Sequence, residues 1–324
     1  MNTLYRKMRL DFICPGKAKC GTTTLHNIMS QHPNICLPSL YKEPRWLNDY
    51  NLCTNRGLDW FAEHYYGISN ECPQKDNVLY GEINPSLSMG PAKRIHDLFG
   101  ECKIIFMFRN PVERLWSHFN MNFDKSSVMR SATEEKVLRD CKSRTQAFNI
   151  FCKNNFEKVG GKIRYTGSYS HVLSQAGYAF NYKTYLRFFK EENMKIILFE
   201  DFIRETQVVC EDLFEFLGIE GGDQIDYSVK SNEGSYSDIT EDEYSILADL
   251  EKKRIYTLAN GTKEEMKEIY KQIRLEKAKI KANTQEVIKQ RPSQDCVEML
   301  QDFFSDDKRY IEEHLQRDLS KIWF

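Results

Sequence analysis

The sequence predicts an α/β fold: a central parallel sheet flanked by helices, with a helical insertion near the C-terminal third. Three observations predict it. Short, almost continuous apolar runs alternate with segments of helical periodicity, as in sheets covered on both faces. The apolar runs stop at Gly or Pro turns. A stretch rich in Glu, Lys, Ile and Leu interrupts the alternation late in the chain.

Arg9 to Cys14 (RLDFIC) reads as the first strand and runs into Pro15-Gly16. Thr22 to Gln31 follows as a helix, with Leu25, Ile28 and Met29 at helical spacing. Lys103 to Phe108 (KIIFMF) is a second strand, stopped by Asn110-Pro111. Val112 to Phe119 is then a helix, with Pro111 in its first turn, where a missing N–H costs nothing. Met194 to Phe199 (MKIILF) is a third strand, and Glu211 to Leu217 an amphipathic helix ended by Gly218. From Thr240 to Gln290 the pattern is a helical hairpin broken at Asn260-Gly261 and solvated on one face. A structural insertion is the plainer reading of it, a lid or acceptor platform the functional one. The expected organisation is a single domain over 1–324 with residues 238–295 inserted within it.

Composition bounds the function. The 324 residues carry a formal net charge of -1, which gives no electrostatic case for nucleic acid or an anionic membrane surface. With 41% apolar and 13% aromatic residues the chain can build a core, which argues against disorder. None of the ten cysteines forms a C-x-x-C pair, so a zinc ribbon or thioredoxin-type site is not expected, and their scatter fits free thiols in a reducing compartment. No run approaches the ~20 apolar residues of a membrane span. The first residues, MNTLYRKMRLDFICPG, hold no apolar core of signal-peptide length. The expected location is cytoplasmic if the chain is complete, or the Golgi lumen if it is a luminal domain cut from an anchor. Oligomeric state is not legible.

The loop Gly16-Lys17-Ala18-Lys19-Cys20-Gly21-Thr22-Thr23-Thr24 joins the first strand to the first helix. Small residues let backbone wrap an anion, N–H groups at the helix start point at it, and lysine and threonine add charge and hydroxyl donors. The arrangement is P-loop-like, but nowhere does Gly-Lys precede Ser or Thr, so a Mg²⁺-nucleotide site is disfavoured and no metal is expected. The plainer reading is a generic strand-to-helix turn. After the second strand comes Arg109-Asn110-Pro111-Val112-Glu113-Arg114-Leu115-Trp116-Ser117-His118. Arg109 falls at a strand's carboxyl end, where ligands of open α/β sheets bind, and an Arg can grip phosphate bidentately while Ser117 adds a hydroxyl. The plainer readings are an Arg109–Glu113 ion pair and a helix-surface serine.

Together the two segments are more specific than either alone. Gly-x-x-Lys-x-Gly-Thr-Thr after one strand and Arg-x-Pro-x-x-Arg-x-x-Ser after a later one resemble the sulfotransferases that use 3′-phosphoadenosine-5′-phosphosulfate (PAPS). Gln31-His32-Pro33-Asn34-Ile35 with Lys42-Glu43-Pro44 resembles the carbohydrate branch, such as the heparan sulfate sulfotransferases. Gly167-Ser168-Tyr169, Met194 to Phe202 and the ending Phe304 to Trp323 also fit, so the resemblance covers most of the chain apart from the helical insertion.

That resemblance implies PAPS as co-substrate and adenosine 3′,5′-bisphosphate as product. It implies that the first segment (Lys17, Ala18, Lys19, Cys20, Gly21, Thr22, Thr23 and Thr24) holds the 5′-phosphosulfate, and that Arg109 and Ser117 hold the 3′-phosphate. It implies Glu43 as general base and Lys19 as the charge on the leaving phosphate. The plainer reading of Glu43 is a salt bridge with Lys42 or Arg45, and Lys17 either serves the donor or faces solvent. Two departures stand out. The branch often has Glu-Lys-Thr-Pro where this chain has Glu82-Ile83-Asn84-Pro85, and its Lys-Gly-aromatic adenosine loop is matched only by Asn232-Glu233-Gly234-Ser235-Tyr236, which offers Gly234 and Ser235. The expected acceptor is a glycan hydroxyl or amine, with a small lipid, sterol or phenol as the alternative. Enzymes of that alternative class use a histidine base, for which His32 and His118 are the rivals to Glu43. Trp46, Trp60, Phe61, Tyr65 and Tyr66 are core residues on the plainer reading and acceptor-stacking rings on the other.

Overall fold

Phe12, Ile13 and Cys14 are fully buried and form the short central strand β1. The structure, a computed structural model, describes residues 8–124, 141, 143–166, 177–222, 224–229, 241–282 and 290–324. β1 is shorter than RLDFIC because Arg9 leaves the ladder: its N–H donates to Gln74 Oε1 at 2.6 Å and its guanidinium pairs with Asp11 at 2.6 Å. After β1 come α1 (Thr22–Met29), β2 (Ile35–Cys36), α2 (Tyr50–Phe61), β3 (Leu79–Ile83), α3 (Ala92–Phe99) and β4 (Lys103–Phe108). α4 (Pro111–Asp124), α5 (Arg144–Asn155), β5 (Phe156–Val159), β6 (Lys162–Tyr165) and α6 (Tyr178–Leu186) follow. The chain continues through β7 (Met194–Leu198), α7 (Phe199–Arg204), α8 (Thr206–Leu217), α9 (Glu241–Asn260), α10 (Lys263–Ala282) and α11 (Gln294–Leu315).

Five strands pair in the order β2-β3-β1-β4-β7, and every pair is parallel. The protein is therefore α/β with a central parallel sheet flanked by helices. β1 lies between β3 and β4, so the chain leaves it toward one side and later returns to the other. Ligands of open α/β sheets bind at such a switch point, beyond the strands' carboxyl ends. The predicted third strand stops at Leu198, and Phe199 opens α7 instead. α8 begins earlier than expected and ends as predicted, with Gly218 left-handed (φ 77°).

The chain divides into two compact units: residues 1–108, 180–232 and 254–270 in the first, and 109–179, 233–253 and 271–324 in the second. The first holds the parallel sheet and a core that includes Phe12, Leu25, Ile83, Ile105, Met107 and Phe214. The second has its own core, including Leu115, Trp116, Phe148, Phe151, Leu300 and Phe304. It also holds the antiparallel β5–β6 hairpin, turned by Gly160 and Gly161, both at positive φ (60° and 82°). The break expected in the insertion is present. α9 ends at Asn260, and Thr262 begins α10 in a capping box: its N–H donates to Glu265 Oε2 at 2.7 Å, and Glu265 N–H donates to its hydroxyl at 3.2 Å. Among the described residues, no helix is long and apolar enough to cross a membrane.

β3 depends on one absent side chain. Gly81 is the register partner of Phe12, and a Cβ built on it would lie 2.1 Å from the Phe12 ring, which is fully buried and cannot move aside. Gly81→Ala should therefore destabilise the protein by about 1–3 kcal/mol, the usual range for overpacking. A urea melt checks this, and an unchanged midpoint would contradict the packing.

Candidate active site

The loop between β1 and α1 is built to present backbone N–H groups. Gly16 (φ 70°), Lys19 (φ 72°) and Gly21 (φ 86°) all adopt positive φ. For Lys19 that conformation costs about 1–2 kcal/mol, which the surrounding contacts must offset. Those contacts are visible. Lys17 N–H donates to the Met107 carbonyl of β4 at 3.0 Å, and Cys20 N–H to the Lys17 carbonyl at 3.3 Å. A Cβ on Gly16 would meet Pro85 at 2.9 Å, so the loop lies directly on the Glu82–Pro85 segment. α1 has Gly21 at its N-cap, no side-chain cap and no acidic residue in its first turn, which leaves its first N–H groups and its positive dipole end for an anion. Thr22 and Cys20 are buried, while Ala18, Lys19, Thr23 and Thr24 are half-buried. Lys17 is fully buried, which corrects the reading of it as a solvent-facing charge: the loop folds over it and turns its backbone toward β4.

Glu43 comes to this loop through its neighbour. Lys42 Nζ lies 3.0 Å from Glu43 Oε1 and donates to Thr22 Oγ1 and Thr23 Oγ1, both at 3.4 Å. The salt bridge of the plainer reading is thus present, and it also ties the carboxylate to the loop. The segment is held on both sides. Before it, Tyr41 stacks on Tyr270 (4.6 Å, 10°) beneath the Arg254 guanidinium (5.3 Å). After it, the Pro44 carbonyl accepts from Asn84 Nδ2 at 2.8 Å. Asn84 is fully buried: its N–H donates to the Cys14 carbonyl at 2.9 Å, and its Nδ2 also donates to Glu82 Oε1 at 2.7 Å. So the Glu-Ile-Asn-Pro departure has a structural role beside Glu43. Ile83 fills the core, and Asn84 braces the segment that carries Glu43.

Glu82 and His26 were not singled out by the sequence. The Glu82 carboxyl is fully buried, and burial pushes it up to about 8, with the Glu43 charge acting the same way and the Asn84 hydrogen bond opposing. His26 lies one turn beyond Thr22 and Thr23 on α1. Burial, then the Lys42 ammonium, holds its imidazole below the usual range, against Asn27 and Glu43. The rival bases do structural work. His32 donates from Nε2 to the Glu220 carbonyl (2.8 Å) and accepts from Asn34 N–H at Nδ1 (3.1 Å), so neither ring nitrogen is left for a substrate proton. His118 is buried with Nδ1 against Arg114 Nη1 at 3.3 Å. Trp46, Phe61, Tyr65 and Tyr66 are core, while Trp60 is half-buried, stacked on His64 (4.4 Å) under Arg56 (5.2 Å).

The Arg109 segment belongs to the second compact unit. Asn110 Oδ1 caps α4 by accepting from Val112 and Glu113 N–H (3.1 and 3.3 Å), and Pro111 takes the first helical position. Arg109 makes the expected pair with Glu113, at a long 3.6 Å, and Glu113 also accepts Arg291 at 3.2 Å. Such partly exposed pairs contribute about 0–1 kcal/mol, so a phosphate can displace one cheaply. The backbone of Arg109 is fixed from afar. Asp307 caps α6 at Tyr178 and Ala179 N–H, both 2.8 Å, and the Tyr178 hydroxyl donates to the Arg109 carbonyl at 2.7 Å. Asn110 Nδ2 also donates to the Trp323 carbonyl. Ser117 is buried on the same helix. Gly234 and Ser235, and Gly167-Ser168-Tyr169, lie outside the described residues.

Glu82 gives the site a pH signature. Its unfolded form ionises near 4.5 and its folded form near 8, so between those values the folded state holds the extra proton. Stability is therefore greatest below the lower value and falls as pH rises through the window. Glu82→Gln keeps an acceptor for Asn84 and should remove that slope in urea melts taken from pH 5 to 8. Parallel curves for the two proteins would contradict it.

Comparison with known proteins shows the family. The model of the sulfotransferase domain family matches residues 10–233. Carbohydrate sulfotransferase 15 of Mus musculus is 24% identical over 252 residues, covering 64% of this chain and 43% of that protein. The membrane-associated sulfotransferase kil1 of Dictyostelium discoideum is 32% identical over 114 residues, covering 35% of this chain and 23% of that protein. The chain thus spans less than half the length of the curated relatives it matches. Among solved structures, a sulfotransferase from Alicyclobacillus acidocaldarius shares the fold with a TM-score of 0.55, at 21% identity over 97% of this chain and 98% of that one. The loop after β1, the Arg109 segment after β4 and a family match spanning both make one conclusion: the chain belongs to the sulfotransferase family.

Proposed function

We propose that the protein transfers the sulfuryl group of PAPS to a hydroxyl, or an amine, of a carbohydrate. The observation that carries this reading is the meeting of a carboxylate with the phosphate loop: Glu43 sits on Lys42, and Lys42 reaches Thr22 and Thr23 at 3.4 Å. A base and an anion cradle are what in-line sulfuryl transfer requires. The acceptor oxygen attacks sulfur, the bond from sulfur to the 5′-phosphate oxygen breaks, and the phosphate keeps the electron pair. Glu43 takes the acceptor's proton, and Lys19 offsets the charge that builds on the leaving phosphate. The β1–α1 loop takes the phosphosulfate on its N–H groups, and Arg109 and Ser117 take the 3′-phosphate. Positioning and charge supply the rate, by analogy with phosphoryl transfer.

A carbohydrate acceptor is supported by the name of the relative that matches over most of this chain, a carbohydrate sulfotransferase. A lipid, sterol or phenol acceptor is less favoured, because both nitrogens of His32 are committed to backbone groups. All ten cysteines are free thiols, which supports a reducing compartment. We retain one sulfotransferase domain over 1–324 with 238–295 inserted in it; the family match covers residues 10–233 of that span.

Two substitutions test the assignment in a transfer assay with labelled PAPS and a panel of glycans, sterols and phenols. Lys19→Ala should abolish transfer while the thermal melt stays within a few degrees of the parent. Glu43→Gln should lower kcat by roughly 10²–10⁴-fold, the usual worth of a general base. Parent rates in either variant would overturn the corresponding role.

A further inference from the structure

We propose that Lys42 is a second catalytic cation: it leaves Glu43 for the sulfuryl oxygens when the donor binds, and so releases Glu43 to act as base. The inference rests on the PAPS reading above.

Three observations carry it. The first is position. Lys42 Nζ is within 3.4 Å of the hydroxyls of Thr22 and Thr23, in the first turn of the helix that offers its N–H groups to the phosphosulfate. The second is company. The same nitrogen lies 3.0 Å from Glu43, so one ammonium stands between the donor's cradle and the base. The third is support. The stack of Tyr41 on Tyr270 under Arg254 and the bond from Asn84 to the Pro44 carbonyl fix the backbone on both sides of Lys42-Glu43, while the side chains keep 17% and 35% exposure. A fixed backbone with partly exposed side chains is an arrangement in which the ammonium can change partner and the segment need not move.

The energetics favour that exchange. Lys42 meets Glu43 through a single partly exposed contact, whereas the phosphosulfate brings several anionic oxygens to the loop that Lys42 already touches. The Lys42 ammonium also occupies Glu43 Oε1, and its departure frees that oxygen for the acceptor's proton. Lys42 neutralises charge on the sulfuryl oxygens, the acceptor's proton goes to Glu43, and the electron pair of the broken S–O bond goes to the phosphate. Tyr270 and Arg254 hold the neighbouring Tyr41 to the inserted helices.

The test compares Lys42→Met with Lys42→Arg in two measurements: kcat for transfer from PAPS, and the Kd of adenosine 3′,5′-bisphosphate, which lacks the sulfuryl group. Lys42→Met should lower kcat by on the order of 10²–10³-fold, the worth of one transition-state donor, and change the bisphosphate Kd by no more than about threefold. Lys42→Arg should recover at least about tenfold of that loss, since the charge is kept and only its geometry altered. If Lys42→Met does not fold, Lys42→Gln is measured in its place under the same expectations. Parent-like kcat, or a bisphosphate Kd that weakens in step with kcat, would overturn the proposal. A parent protein that binds bisphosphate but loses nothing on Lys42→Met sinks only the role of Lys42, whereas a parent that neither binds it nor uses PAPS sinks the PAPS reading and this role together.

Discussion

The proposed base and the loop proposed to bind an anion carry conflicting demands: the carboxylate must lie near the loop, yet its charge must not fill it. One ammonium lies between the two. Lys42 neutralises Glu43 at 3.0 Å and reaches the loop threonines at 3.4 Å. Neighbouring residues fix the backbone of the segment that carries this pair. Asn84 braces the segment from the sheet side, the Tyr41–Tyr270 stack braces it from the inserted helices, and Gly16 packs on Pro85 so that loop and brace share a surface.

The same segment shows where stability is given up. Glu82 is a fully buried carboxyl, and burial raises it far enough to hold a proton near neutrality. Lys19 holds a left-handed backbone that a glycine would adopt more easily. Such costs persist where the surrounding structure over-determines them. Here the determinants are the hydrogen bonds from Lys17 to β4, from Asn84 to β1 and from Asn84 to Glu82. The Arg109 segment follows a similar logic within its own unit, where Asp307 and Tyr178 relay a constraint from α11 to the Arg109 carbonyl.

How far the sequence could be read follows from these details. KIIFMF was legible as β4 because every residue after Lys103 is buried. β1, α1 and the turn between them were legible for the same reason, and so were the residue types suited to cradle an anion. LYGEI was not legible as β3, because Gly81 and Glu82 break the apolar run, and each is there for a contact that only the fold supplies: the Phe12 ring and the Asn84 amide. The β5–β6 hairpin escaped notice because its strands are exposed along most of their length, although Gly160-Gly161 was a readable turn signal. Lys42 was read only as the neighbour of Glu43, since its reach to residues about twenty positions earlier is a tertiary fact. Lys17 offered no clue to its burial, and Asp307 none to its hold on Tyr178, 129 residues away.

We have proposed that the β1–α1 loop and the Arg109 segment each bind adenosine 3′,5′-bisphosphate and its sulfated form. Calorimetric titration tests this most directly, with adenosine 3′,5′-bisphosphate in one run and ATP with Mg²⁺ in the other. The expected result is saturable binding of the bisphosphate without metal, weakened in both Lys19→Ala and Arg109→Ala. Binding of ATP with Mg²⁺ alone, or bisphosphate binding indifferent to both substitutions, would contradict it.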